Sequence, residues 1–244
     1  MTDDELLAAA CPIIGDVGAA FYFTPETIER GQAFGLERGP FYFIGRGGVL
    51  GDVDAAVVCS AFGYFNRAVV ERVWNGARQQ ISPRTAGSLY HECCADHGRR
   101  KLSGVAGLDE FNAAAQKVLA AADGDSLALF AGINAEPRVS DAPGLAMQLI
   151  AVLREYRGSA HLVALRAVGL NSKIAHLVKR PEMARGFGWT DADMPEVTPS
   201  ITAALAEAEV LTDRIVRPAF AVLDLAERHH LVSTLRAIEG ALRD

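Results

Sequence analysis

Cysteine is scarce in this chain and poorly placed for crosslinking. The four, Cys11, Cys59, Cys93 and Cys94, are irregularly spaced and two are adjacent. No disulfide framework is expected, and a reducing cytoplasmic compartment is the simpler reading. Positive charge is not in excess: 24 Lys and Arg stand against 30 Asp and Glu, a net charge of -6. A dedicated nucleic-acid binder carries a basic face, so DNA is not an expected partner. Aromatic residues make up only 7% of the chain, and strand-like alternation is confined to Phe41–Ile44. That excludes a core built from sheets. The longest apolar stretch, Leu145 to Leu177, is interrupted by Arg154, Glu155, Arg157, His161 and Arg166, so no membrane span is expected. The opening Met1-Thr2-Asp3-Asp4-Glu5 is acidic where a signal peptide is basic. A soluble, cytoplasmic protein is the expectation.

What the chain has in quantity is alanine and helix punctuation. Half its residues are hydrophobic, and Ala-rich segments favour helix over strand. The sequence predicts helices over Leu6 to Ala20, from Thr24-Pro25, and from Asp52 or Asp54 to Phe62. Others run from Asn66 to Gln79, from Ser82-Pro83 to Leu102, and from Leu108 to Ala122. A long helical region runs from Pro143 to His176 and stops at Pro181. Ser200 caps a final stretch that Pro218 bends or divides before Ala221 to Leu242. Pro40 to Gly51 reads as a Gly-rich connection. The fold class expected is all-α: a helical body over residues 1–185 and a C-terminal helical unit over 186–244.

The long helical region carries the sharpest functional signal. One residue turns a helix by about 100°, so Arg154, Arg157 and His161 share one stripe. The other sides of that helix are apolar, as in an interior helix. Two guanidiniums and an imidazole are too costly to bury unpaired. They face the surface or a ligand, or they pair with acidic residues such as Glu26 or Asp52 and lock the helices. His91, Cys93, Cys94 and His97 crowd together as metal ligands do, but they fall on different faces of one helix, and Arg99-Arg100-Lys101 would repel a cation. No metal site is expected there. The loop Gly45 to Gly51 lacks the third glycine of a dinucleotide fingerprint, because Leu50 stands in its place. It reads as a turn with close helix approach. Arg46 within it is suited to bidentate binding of an anion. Phe21-Tyr22-Phe23, Phe62, Tyr64 and Phe65 read as core or pocket wall, with Tyr64 and Asn66 able to offer a hydroxyl and an amide.

Several segments together carry a resemblance: Phe21-Tyr22-Phe23-Thr24-Pro25-Glu26, Tyr42-Phe43-Ile44-Gly45-Arg46, Leu50-Gly51-Asp52, Phe62-Gly63-Tyr64-Phe65-Asn66, and Tyr156-Arg157-Gly158-Ser159-Ala160-His161. They are similar to segments of a family of high-GC bacterial proteins labelled helix-turn-helix, most of whose members are uncharacterised. The last segment resembles an "HRGDGH" element of that family, with Ser159 and Ala160 in place of its Asp and second Gly. The resemblance implies a winged-helix-like C-terminus. Here only Thr190 to Glu196 separates Trp189 from Val197, too little for a recognition helix of about three turns. The recognition helix and wing are expected to be missing.

Three functions are in play. The first is a helical protein that binds a small anionic or aromatic molecule. It would bind through Tyr42, Arg46, Tyr64, Asn66, Arg154 and Arg157, with His161 as the catalytic proton donor or acceptor of an enzyme of specialised metabolism. A haem or metal carried on His161 is a variant of that reading; no cofactor is named by the sequence. The second is a ligand-responsive winged-helix regulator. The third is a non-catalytic homodimer joined through the amphipathic helix at Ala221 to Leu242.

Overall fold

The structure, a computed structural model, describes residues 1–243. The described residues form α-helices and short 3-10 turns, with no strand among them. In chain order the helices are α1 (Asp3–Val17), α2 (Pro25–Gln32), α3 (Arg38–Gly47), α4 (Ala55–Phe62), α5 (Arg67–Ala77), α6 (Pro83–Leu102), α7 (Leu108–Ala121), α8 (Ala128–Asn134), α9 (Ala142–Ala167), α10 (Ser172–Lys179), α11 (Pro199–Phe220) and α12 (Leu225–Arg243).

Local chemistry sets most of these boundaries. Thr2 and Glu5 form a capping box on α1. The side chains of Thr24, Ser82 and Thr198 each accept a backbone N–H just ahead of a proline in the first turn. A proline there fixes φ and removes an amide that would go unpaired. Asn66, Asp141 and Asn171 cap α5, α9 and α10 in the same way.

α9 is the central post, with α1, α6, α7, α8 and α11 packed around it. Met147, Leu149, Ile150 and Val152 are fully buried, as the apolar surround of that segment predicts. The boundary expected near residue 186 does not divide the core. Val216, Phe220, Leu231, Leu235 and Ile238 belong to the same buried cluster as Leu6, Ile14 and Phe111. The apolar face of α12 is spent on α1, α6 and α7, so it is not the free surface that the homodimer expectation assumed.

Three local expectations are corrected. Pro40 to Gly51 is not a connection: Arg38 to Gly47 is helical, followed by a 3-10 turn. Its glycines serve packing. A Cβ on Gly45 would stand 2.5 Å from the Tyr90 ring, and one on Gly48 would stand 2.0 Å from the Pro83 carbonyl oxygen. The long helical region is two helices, because Gly169 takes a φ of +76° and turns the chain between α9 and α10. Pro218 lies inside α11, and the break comes after Phe220.

Candidate functional site

The stripe of Arg154, Arg157 and His161 faces one cavity. Its inner chamber, about 270 Å³ and half open to solvent, is bordered by α1, α3, α4, α9 and the 3-10 turn at Pro181–Phe187. It opens onto an outer cleft of about 700 Å³ bordered by α1, α10 and α11. Arg154, Arg157, His161, Tyr64, Arg180 and Phe187 line both spaces. Tyr42 and Arg46 reach the inner chamber from α3. Of the residues expected to bind a ligand or move a proton, only Asn66 is elsewhere. Its Oδ1 accepts from the amide of Ala68 as an N-cap, and its Nδ2 donates to the Gly188 carbonyl.

At the back of the chamber lies Glu155, 2% exposed. Arg46 grips it with two bonds, Nε to Oε1 at 2.9 Å and Nη2 to Oε2 at 2.8 Å. Arg154 Nη1 and the Tyr22 hydroxyl each donate to Oε1 at 2.9 Å. Burying a lone carboxylate costs several kcal/mol. Burial alone would raise the Glu155 pKa, but Arg46 and Arg154, with the bonds from Arg46 and Tyr22, outweigh it and hold the acid down to about 2. The arginines are therefore paired, though with neither Glu26 nor Asp52. Arg46 also donates to the Tyr42 hydroxyl and lies over the Phe62 ring at 4.3 Å. Two guanidiniums share one carboxylate here, so this network keeps a net positive charge.

Arg157 donates through Nη2 to Glu209 at 2.9 Å and Asp213 at 3.2 Å, both on α11. Its buried Nε has no partner, and neither has the buried Ser159 hydroxyl on the chamber wall. Lys179 also pairs with Glu209. The inner chamber is thus lined by four arginines, Arg46, Arg154, Arg157 and Arg180, and one carboxylate, Glu155. Glu209 and Asp213 border only the outer cleft.

His161 has a defined tautomer. The Thr212 hydroxyl donates to the Ala208 carbonyl at 2.6 Å, and it has no second proton to give. The 2.9 Å contact between His161 Nδ1 and Thr212 Oγ1 is therefore donated by Nδ1. In the neutral ring this leaves Nε2 as the lone-pair nitrogen, 4.0 Å from Glu209 Oε1. Burial lowers the His161 pKa, and Lys179 and Arg157 add to that effect against the opposing pull of Glu209 and Asp213. At neutral pH the ring is neutral and presents an acceptor. These charged surroundings do not make the apolar slot that a haem face needs.

Sequence reasoning missed Arg180, Phe187 and the partners Glu155 and Glu209. Arg180 and Phe187 sit in an irregular strap with no periodic pattern. Phe187 stacks on Phe65 at 4.1 Å and lies tilted against His176 at 3.9 Å. The strap is pinned by the Trp189 indole, which donates to the Tyr64 carbonyl at 2.7 Å, and by Lys173, which pairs with Asp193.

Among the described residues, no group of three or more His, Cys, Asp or Glu is arranged to hold a metal, and no helix is long and apolar enough to cross a membrane. No curated protein and no solved structure matches the chain significantly. A family model described as a helix-turn-helix family matches residues 9–244. Nearly the whole chain is covered, and the protein belongs to that helix-turn-helix family.

Proposed function

We propose that this protein binds a small organic anion with an apolar or aromatic body in the inner chamber. The observation that carries the reading is the charge of the lining: its four arginines meet three carboxylates, Glu155 beside Arg46 and Arg154, and Glu209 and Asp213 beside Arg157, with Arg180 left over. An organic anion would complete that charge balance beside the buried Arg46–Glu155 pair. Arg180 and Arg157 Nη1 are the donors left for it, while Arg46 and Arg154 supply field rather than new bonds. Tyr42, Tyr64, Phe65 and Phe187 offer ring faces to its body. His161 Nε2, the lone-pair nitrogen, would take a proton from a ligand O–H or C–H, the step an enzyme would need. Isothermal titration with benzoate, phenylacetate and propanoate tests this. Binding that weakens about tenfold in Arg180→Ala, an exposed position, supports it. Absence of heat for every acid at millimolar concentration overturns it.

Family membership favours a second reading, a ligand-responsive regulator. α9 and α10 are joined by a four-residue turn through Gly169, the connectivity a helix-turn-helix would use. Against it, both lysines of α10 are paired, Lys173 with Asp193 and Lys179 with Glu209. The Tyr64 amide also donates to Ser172 at the start of α10. A recognition helix needs that end free for the groove. Retention of a random duplex at 50 mM salt, lost at 200 mM, would revive this reading.

A further inference from the structure

Next to the chamber along α9 an open groove of about 680 Å³ runs between α4, α8 and α9. Val57 and Val163, two of the large apolar side chains left exposed, flank it at 44% and 38% exposure. Leu127 and Leu129 belong to its lining and are otherwise buried. Three residues border both this groove and the arginine-lined chamber: Ala61, Ser159 and Leu162. Two of the three are small. The third, Leu162, leans over Gly63, where a Cβ would stand 2.5 Å from its Cδ2. The partition between a cationic chamber and an apolar groove is therefore one side chain thick, and the buried Ser159 hydroxyl within it has no partner.

We infer that the ligand is a monocarboxylate with an extended apolar tail. Its carboxylate sits at Arg157 and Arg180, and its chain passes Ser159 and Leu162 into the groove between Val57 and Val163. This rests on the anion-binding reading and narrows its ligand class. Charge complementarity sets the polarity of the ligand, and the thin partition sets the route, which the tail opens by displacing the Leu162 side chain. The groove has one cation of its own, Arg166, which defines the opposite orientation.

A homologous series from butanoate to decanoate, titrated by calorimetry, tests the inference. Each methylene that enters an apolar site adds roughly 0.8 kcal/mol, so Kd should fall about threefold to fourfold per carbon once the tail reaches the groove. Ala61→Phe narrows the passage and should abolish that increment beyond the shorter acids. Val57→Gln combined with Val163→Gln changes only exposed side chains and should shrink it, which keeps the test open if Ala61→Phe does not fold. A flat series in which short acids still bind overturns the tail route and leaves the chamber reading standing. An increment that survives Ala61→Phe but vanishes in Arg166→Ala places the carboxylate at the rim and overturns the orientation. Failure of every acid to bind overturns both.

Discussion

Glu155 accepts four hydrogen bonds from three side chains while almost wholly buried. Removing its charge leaves Arg46 and Arg154 facing each other without a counterion. Glu155→Gln should therefore destabilise the protein by about 3–5 kcal/mol at pH 7, read by urea denaturation. The pH dependence carries a definite sign. The folded pKa is depressed to about 2 from an ordinary 4.5, so the unfolded chain takes up this proton first. The stabilisation is complete above pH 4.5 and is lost as pH falls towards 2. The gap between wild type and Glu155→Gln should close over that window, and a gap unchanged at pH 3 would contradict the buried pair. This residue was visible in the sequence, next to Arg154, but it lies one helical step off the stripe and its partner Arg46 is 109 positions away. Helical spacing finds residues that share a face; it does not find partners brought together by the fold.

Helix boundaries were legible wherever a side chain closes them. Ser82-Pro83 announces α6 and Thr24-Pro25 announces α2. The α3 region was not legible, because clustered aromatics and glycines read as strand or loop when each is judged by propensity. Tertiary contact reverses the sign, since Gly45 and Gly48 are what allow α3 and the following turn to lie against α6. Gly48→Ala should cost on the order of 3 kcal/mol, since its Cβ would meet backbone rather than a yielding side chain. Gly39→Ala, with nothing within 4 Å of its Cβ, should be nearly neutral; comparable melting temperatures for the two variants would contradict this packing. The strap was illegible for a different reason. It has no period, and its order comes from pins contributed by other elements. Gly188 within it takes a φ of +82°, and a Cβ there would stand 2.4 Å from Val69. Gly188→Ala should loosen the strap by about 1–2 kcal/mol, seen as faster amide exchange over residues 181–198 with the exchange of α9 unchanged.

Across the whole molecule, four histidines share one electrostatic fate. His91, His97, His161 and His176 all have lowered pKa values, with burial the main cause, and His91 is pushed to about 4. The unfolded chain binds these protons first, so acidification below pH 6.5 favours unfolding. Thermal stability should decline from pH 7 to 5, well before the carboxylates titrate, with His91 alone contributing on the order of 3 kcal/mol by pH 4. A melting temperature flat between pH 7 and 5 would show that these rings take up protons as readily when folded. The two tryptophans divide the protein differently. Trp74 is fully buried, its indole donating to the Val53 carbonyl, whereas Trp189 is half-buried and belongs to the strap. A core indole emits at shorter wavelength than one partly in water, so the fluorescence spectrum is the sum of two separable bands. The red band follows the strap that carries Phe187, the blue band follows the core, and a single cuvette distinguishes a loosened strap from an unfolded molecule.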